Sequence, residues 1–459
     1  MFFESILLNA IVSIILIVAL IIDYVTKFFS YWYIRHIPYK SSIPFFGSDY
    51  HRVLGIRNTT QEVNKLYEKY LGEKFVGCIK SRMPDLIVRE PDAIKKMLST
   101  DFANFHSRGL GLDKSQDVCL RNNLFYAEGE KWTLLRRGLE SIMESLHCDF
   151  EHNLHDCLSG TNGDVNVQQL LSKVLDAVFK DLLLDSSSDT TVITNIRSAV
   201  QSRTLVDRLK SYLKNIFPSL YVLLGLTTLP EEPSNKTEKA LEQSKLMEKI
   251  KSGSIFQLGI KEKGNRSVSD VEFAFSMLSL FVTEGYVPCH NLLTAILYEL
   301  AKCPDVQQKV RYSEEYLDAA IKEVLRLHPP YSVITRQCVN TYSYDATLLI
   351  DKRITINIPV DALHKDKNYY NQPEVFNPDR FLDNSNVHSY AFLPFGTGPR
   401  KCVGEQLSLQ IIRRITSTIL NQYEIEPCAR TPLTLPVTDH NFGRIIERDI
   451  WLNFKPIRT

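Results

Sequence analysis

One stretch of ten residues constrains this 459-residue chain more than any other: Phe395-Gly396-Thr397-Gly398-Pro399-Arg400-Lys401-Cys402-Val403-Gly404. Three glycines and a proline hold a tight loop that neither a helix nor a strand tolerates. Directly after it, Leu407, Ile411, Ile415 and Ile419 recur every four residues, the period of a helix with one apolar stripe. Cys402 thus precedes a helix N-terminus, where unpaired N–H groups favour a thiolate, and Arg400 and Lys401 add positive charge. A buried thiolate without a disulfide partner suits a metal. The blander reading is a Gly-rich turn carrying an ordinary buried cysteine, and the cysteine alone does not separate the two.

The full pattern F-G-x-G-x-R-x-C-x-G is more specific. It resembles the haem-binding loop of the cytochrome P-450 family, the haem-thiolate monooxygenases. The resemblance implies haem b (iron protoporphyrin IX) as cofactor, with Cys402 as the axial iron ligand and Arg400 on a haem propionate. Phe395 and Gly404 belong to the same cofactor-binding loop. Electron density pushed from a thiolate favours O–O cleavage.

Two further motifs stand in family order. Trp132-Thr133-Leu134-Leu135-Arg136 sets an indole N–H and a guanidinium one helical turn apart, both donors suited to carboxylates. An amphipathic helix with a core tryptophan explains the pair equally well in isolation. The resemblance assigns Trp132 and Arg136 to the haem propionates. Glu323-Val324-Leu325-Arg326 sets a carboxylate and a guanidinium at i, i+3 among apolar neighbours, so burial of the pair is expected. A buried pair needs further partners to offset desolvation. Phe376-Asn377-Pro378-Asp379-Arg380-Phe381 offers Arg380. The family's Glu-Arg-Arg triad is built from such elements and locks the cysteine loop, which makes Glu323, Arg326 and Arg380 structural, not catalytic.

Composition narrows the setting. Lys plus Arg is 54 against 53 Asp plus Glu, with no basic run, so nucleic acid is not an expected partner. Nine scattered cysteines without C-x-x-C spacing argue against a disulfide framework or a zinc site. Ile6 to Ile22 is apolar except for Asn9 and Ser13, and is followed by Tyr24, Phe28, Phe29, Tyr31, Trp32 and Tyr33. This predicts a transmembrane anchor over residues 1–25, in preference to a cleaved leader, because Glu4 replaces a basic start. Lys27 and Arg35 after the span place the bulk in the cytosol, and the resemblance to the microsomal type implies the endoplasmic reticulum membrane. Pro38 and Pro44 stiffen a hinge over 26–47.

Residues 48–459 are expected to form one haem-thiolate catalytic domain of the α+β class, predominantly helical with minor sheets: the cytochrome P-450 fold. Phe75 to Ile79, Leu86 to Arg89 and Thr355 to Pro359 read as strands, Pro91 opens a helix, and Val268 to Ala301 reads as a long apolar helix. The stretches 102–109, 128–132 and 358–366 are similar to insect enzymes of the xenobiotic-metabolising branch of the microsomal type.

The helix over the haem departs from the family. Counting back from Leu297-Tyr298-Glu299-Leu300-Ala301 aligns Glu284-Gly285-Tyr286-Val287-Pro288 with the family's A/G-G-x-D/E-T. The acid and alcohol that help deliver protons during oxygen activation are thus Val287 and Pro288, which carry none. Pro288 also lacks an N–H, so a kink is expected beside the carbonyl of Glu284. Glu284 becomes the candidate catalytic residue: burial should disfavour its charged form and suit it to carry a proton. The alternative is a solvated charge on a helix surface.

Three functions follow. The first is a monooxygenase acting on a lipophilic xenobiotic, steroid or lipid, with electrons from NADPH through cytochrome P-450 reductase, cytochrome b5 as a second donor, and membrane lipid as its setting. The second is a haem-thiolate isomerase or dehydratase acting on a lipid hydroperoxide. The third is a catalytically impaired haem-binding protein.

Overall fold

The computed structural model describes residues 6–457 apart from 44–45, 81–82, 147–150, 185–189, 202–203, 231, 253–268, 384–387 and 441–442. Two compact units emerge: Met1–Gly109 with Val333–Ala362, and Leu110–Ser332 with Leu363–Thr459.

In the first unit, helix α1 runs Ile6–Phe29. The apolar side chains from Ile11 to Ile22 are exposed, Leu20 to 67%. No helix among the described residues is long and apolar enough to cross a membrane. A four-stranded sheet follows, ordered Phe75–Lys80, Met83–Val88, Thr355–Ile358, Ile334–Gln337. Its outer pairs are antiparallel and its central pair, Leu86 with Ile356, is parallel. The strands expected near 75–79, 86–89 and 355–359 are present within a residue or three. Trp32, fully buried, lies flat on Gly77, where any Cβ would come within 2.4 Å of the indole. The Trp32 Nε1–H donates to the Cys78 carbonyl at 2.8 Å.

The second unit is helical. Its main helices are α2 (Gly129–Ser145), α3 (Val167–Leu183), α4 (Asp270–Leu280), α5 (Val287–Lys302), α6 (Glu314–Leu327) and α7 (Glu405–Gln422). Several begin where a short polar side chain accepts an orphan N–H: Asn166 from Gln169, Ser269 from Glu272, Ser313 from Tyr316. Helix α5 is buried on nearly every face, from Val287 to Ala301, as a helix apolar all round must be. Helix α7 turns Ile411, Ile415 and Ile419 into the same core, as their four-residue period required. The strands Gly163–Asn166, Trp451–Pro456 and Tyr423–Pro427 form a small antiparallel sheet.

The long apolar helix expected over 268–301 begins at Asp270, residue 268 lying outside the described residues. It is not α-helical throughout. Phe281–Tyr286 is a π-helix between α4 and α5, and the Val287 N–H reaches back to the Val282 carbonyl. Proline has no N–H at 288 to close an α-type bond to the Glu284 carbonyl, and the π segment lies directly before it. The disturbance expected from Pro288 therefore takes the form of a widened turn.

Candidate functional site

The cysteine loop is held by its own backbone. Gly396 (φ 68°) and Gly398 (φ 72°) take left-handed conformations, which lets the chain double back. The Cys402 N–H donates to the Phe395 carbonyl at 2.9 Å, and the Lys401 N–H to that of Gly398 at 2.9 Å. Gly404 caps α7, and its N–H donates to the Cys402 sulfur. Cys402 lies deep among protein atoms, yet its side chain remains accessible.

Burial pushes the Cys402 thiol up to about 11, and the Gly404 N–H and Arg136 only partly oppose it. The two flanking cations are engaged elsewhere. Lys401 pairs with Glu405 at 2.5 Å. Arg400, buried, donates to the Ala127 carbonyl at 2.6 Å and lies 4.8 Å from the centre of the Trp132 ring. A coordinated metal cation acts in the opposite sense and favours the thiolate.

Helix α2 brings the other predicted donors to this loop. Trp132 and Arg136, one turn apart, face it together. The Arg136 Nη1 donates to the Lys401 carbonyl, and its Nε to Glu140 at 2.6 Å. Trp132, Arg136, Arg400 and Cys402 thus meet, as the motifs implied. A thiol ringed by three N–H-bearing side chains fits an iron porphyrin with two carboxylates. Phe395 contributes its carbonyl, and at Gly404 a Cβ would make only ordinary contact with Met143, 3.7 Å away.

The triad is assembled. The Arg326 Nε and Nη2 donate to the two oxygens of Glu323 at 2.7 and 2.8 Å, and both side chains are fully buried. The Arg380 Nε and the Asn377 N–H donate to Glu323 Oε1, each at 3.0 Å. Sequence reasoning missed the link onward. The Arg326 Nη1 donates to the His364 carbonyl at 2.8 Å. His364 Nε2 accepts from the Leu393 N–H at 2.9 Å, so its Nδ1 carries the proton and donates to the Arg326 carbonyl at 3.2 Å. The Leu393 carbonyl accepts from the Gly396 N–H at 3.1 Å. The triad is therefore tied to the cysteine loop through one histidine.

Against this geometry, the family model for cytochrome P-450 matches residues 37–451. The chain belongs to the cytochrome P-450 family. Among curated relatives it is 28% identical to cytochrome P-450 6B6 of Helicoverpa armigera, over 91% of this chain and 92% of that protein. It is 24% identical to cytochrome P-450 6j1 of Blattella germanica over 98% of each, and 28% identical to cytochrome P-450 3A29 of Sus scrofa over 88% of each. As a cytochrome P-450 it is a haem b-binding monooxygenase, an oxidoreductase.

Glu284 is half-buried on the π segment. Its Oε1 accepts from the Asn123 amide at 3.1 Å and its Oε2 from the Tyr331 hydroxyl. Neither partner was anticipated; they stand 161 and 47 residues away in the chain. Tyr286 turns away, donating to Asp176 at 2.8 Å, and burial pushes its phenol up. Val287 is buried.

Proposed function

We propose that this P-450 inserts one atom of dioxygen into a lipophilic small molecule, drawing electrons from NADPH through cytochrome P-450 reductase, with cytochrome b5 as a second donor. The observation that carries the reading is the meeting of Cys402 with Trp132, Arg136 and Arg400. Haem b bound there supplies the oxygen chemistry. The chain supplies the rest. Cys402 offers its sulfur, and Trp132, Arg136 and Arg400 offer N–H donors for the cofactor's carboxylates. The Glu323–Arg326–Arg380 cluster, through His364, holds the loop in place. Glu284, fixed by Asn123 and Tyr331, is the group of the distal segment from which a proton is handed on, since Val287 and Pro288 have none to give.

The same proposal puts residues 1–25 in the endoplasmic reticulum membrane as an anchor, 26–47 as a hinge and 48–459 in the cytosol as the catalytic part. Support comes from the exposed apolar flank of α1 between Ile11 and Ile22. Burial of that flank in lipid removes it from water.

The test is a carbon monoxide difference spectrum joined to NADPH consumption across a panel of lipophilic compounds, with and without reductase. A thiolate-type band with reductase-dependent product supports the proposal. The band with hydroperoxide rearrangement and no reductase dependence makes the protein an isomerase, and the band with no turnover makes it a binding protein. Protection of the large domain from protease in sealed microsomes would reverse the orientation.

A further inference from the structure

A polar cavity of about 560 Å³ lies in the second unit, walled by α3, α5, the helix Thr191–Gln201 and the strand Gly443–Ile446. That volume is in the range of small-molecule pockets. None of Trp132, Arg136, Arg400 and Cys402 lines it. Its walls are pinned by amides. The Asn291 side chain donates to the Val287 carbonyl at 2.9 Å and accepts from the Ile446 N–H at 3.2 Å. Gln168 donates to the Arg448 carbonyl at 2.9 Å and accepts from the Ile450 N–H at 2.7 Å. These bonds tie α3 and α5 to the chain at 446–450.

Two polar atoms of the wall are left over. His290 is almost fully buried. Its Nε2–H donates to the Gln168 carbonyl at 2.9 Å and burial keeps the ring neutral. Its Nδ1, left as an acceptor, is buried without a partner among the described residues. Arg197 donates through Nη2 to Asp176 at 3.2 Å, while its Nε–H is likewise buried and unpartnered among them. Both side chains meet Tyr286: the His290 ring stacks on it at 6.2 Å between centroids, and the Arg197 Cζ lies 5.7 Å from its centre. A buried donor or acceptor is costly to leave unpaired, so a ligand that pairs both is favoured.

The charge such a ligand needs follows from what is already neutralised. Both oxygens of Asp176 are taken, Oδ1 by the Tyr286 hydroxyl and Oδ2 by Thr194 and Arg197. Asp449 is exposed, where water screens it. Lys173, exposed at the same cavity, donates to the Cys157 carbonyl at 3.2 Å, and an ammonium has three donors. The spare donors are therefore cationic, and the spare acceptor on His290 requires a hydroxyl. Buried Ile445 and Ile446 add an apolar floor for the face of a ring.

We propose that this cavity binds a small hydroxylated anion, a sugar phosphate or a sugar acid, whose charge is held by Arg197 and Lys173 and one of whose hydroxyls donates to His290 Nδ1. The site is separate from the cysteine loop and does not rest on the monooxygenase reading.

The experiment titrates the ferric holoenzyme by calorimetry, without turnover, with glucose 6-phosphate, glucuronate, neutral methyl glucoside and inorganic phosphate. Glucose 6-phosphate or glucuronate is expected to bind roughly tenfold or more tightly than both methyl glucoside and inorganic phosphate, and the tighter of the two names the source of the anion. Arg197→Gln should weaken that binding roughly tenfold, and His290→Phe, which keeps a ring without Nδ1, should also weaken it. If Arg197→Gln fails to fold once Asp176 loses its partner, Lys173→Gln at its exposed position should still weaken binding about threefold. Binding of neither anion overturns the proposal. So does equal affinity for methyl glucoside, which removes the role of charge, or for inorganic phosphate, which removes the role of the hydroxyl. Unchanged affinity in folded Arg197→Gln, His290→Phe or Lys173→Gln places the ligand elsewhere and overturns it as well.

Discussion

The guanidinium of Arg136 donates to the main-chain carbonyl of Lys401, the residue immediately before Cys402. A helix 265 residues earlier in the chain thereby fixes the cysteine's own backbone. Cys402→Ala should abolish the thiolate-type carbon monoxide Soret band, whereas Cys289→Ala should keep it. A retained band in Cys402→Ala would falsify the assignment of the axial ligand.

Glu323→Ala and Arg326→Ala should fail to give folded holoprotein, not merely slow it. Removing one partner of a buried pair costs about 3–5 kcal/mol, a large share of a domain's stability. His364→Ala should have a milder form of the same defect, because it loses the side-chain links to Leu393 and to the Arg326 carbonyl but keeps its own carbonyl as acceptor for Arg326. Haem content per folded protein, read alongside circular dichroism, distinguishes the outcomes; a haem-replete but slow Glu323→Ala enzyme would point to a direct catalytic role.

Glu284→Gln should raise NADPH consumption relative to product while leaving the carbon monoxide spectrum normal, since the amide accepts and donates hydrogen bonds but does not carry a proton through. Coupling identical to wild type would show that the proton comes by another route.

Gly77→Ala should destabilise the first unit by about 1–3 kcal/mol, because the added methyl has only the fully buried Trp32 ring to displace. Thermal denaturation would measure it. The double variant Gly77→Ala, Trp32→Phe should recover part of the loss if the indole is the obstacle.

His290 sets a pH dependence. Its Nε2–H donates to the Gln168 carbonyl at 2.9 Å, and burial lowers its pKa from 6.5 to about 4. Between those values the unfolded chain binds a proton that the folded protein does not. Stability is therefore fully present above about pH 6.5 and is lost as pH falls toward about 4, by up to ~3 kcal/mol. His290→Gln should flatten that window in denaturant midpoints measured across it; an unaltered slope would show that other groups dominate.

What could be read from sequence was local. The cysteine loop, Trp132 with Arg136, and Glu323 with Arg326 each keep their chemistry within a few residues, so spacing alone reveals them. Asn123, Tyr331 and His364 reach their partners across long separations and leave no periodic trace. The partners of the cations beside Cys402 were hidden for a related reason. Arg400 and Lys401 are adjacent in sequence, but Trp132, Ala127 and Glu405 engage them in space. Pro288 announced a disturbance but not its form, because a kink and a π turn relieve the same missing N–H.

The form has a consequence for comparing this chain with its relatives. A π turn holds roughly one more residue than the α turn it replaces, which offsets the angular phase of α4 from that of α5 by about 100°. Positions matched by counting from Leu297 hold for α5 and drift across Phe281–Tyr286. Glu284 sits inside that phase slip. Its counterpart elsewhere is defined by direction in space, toward Asn123 and Tyr331, and not by any column in which sequences are lined up.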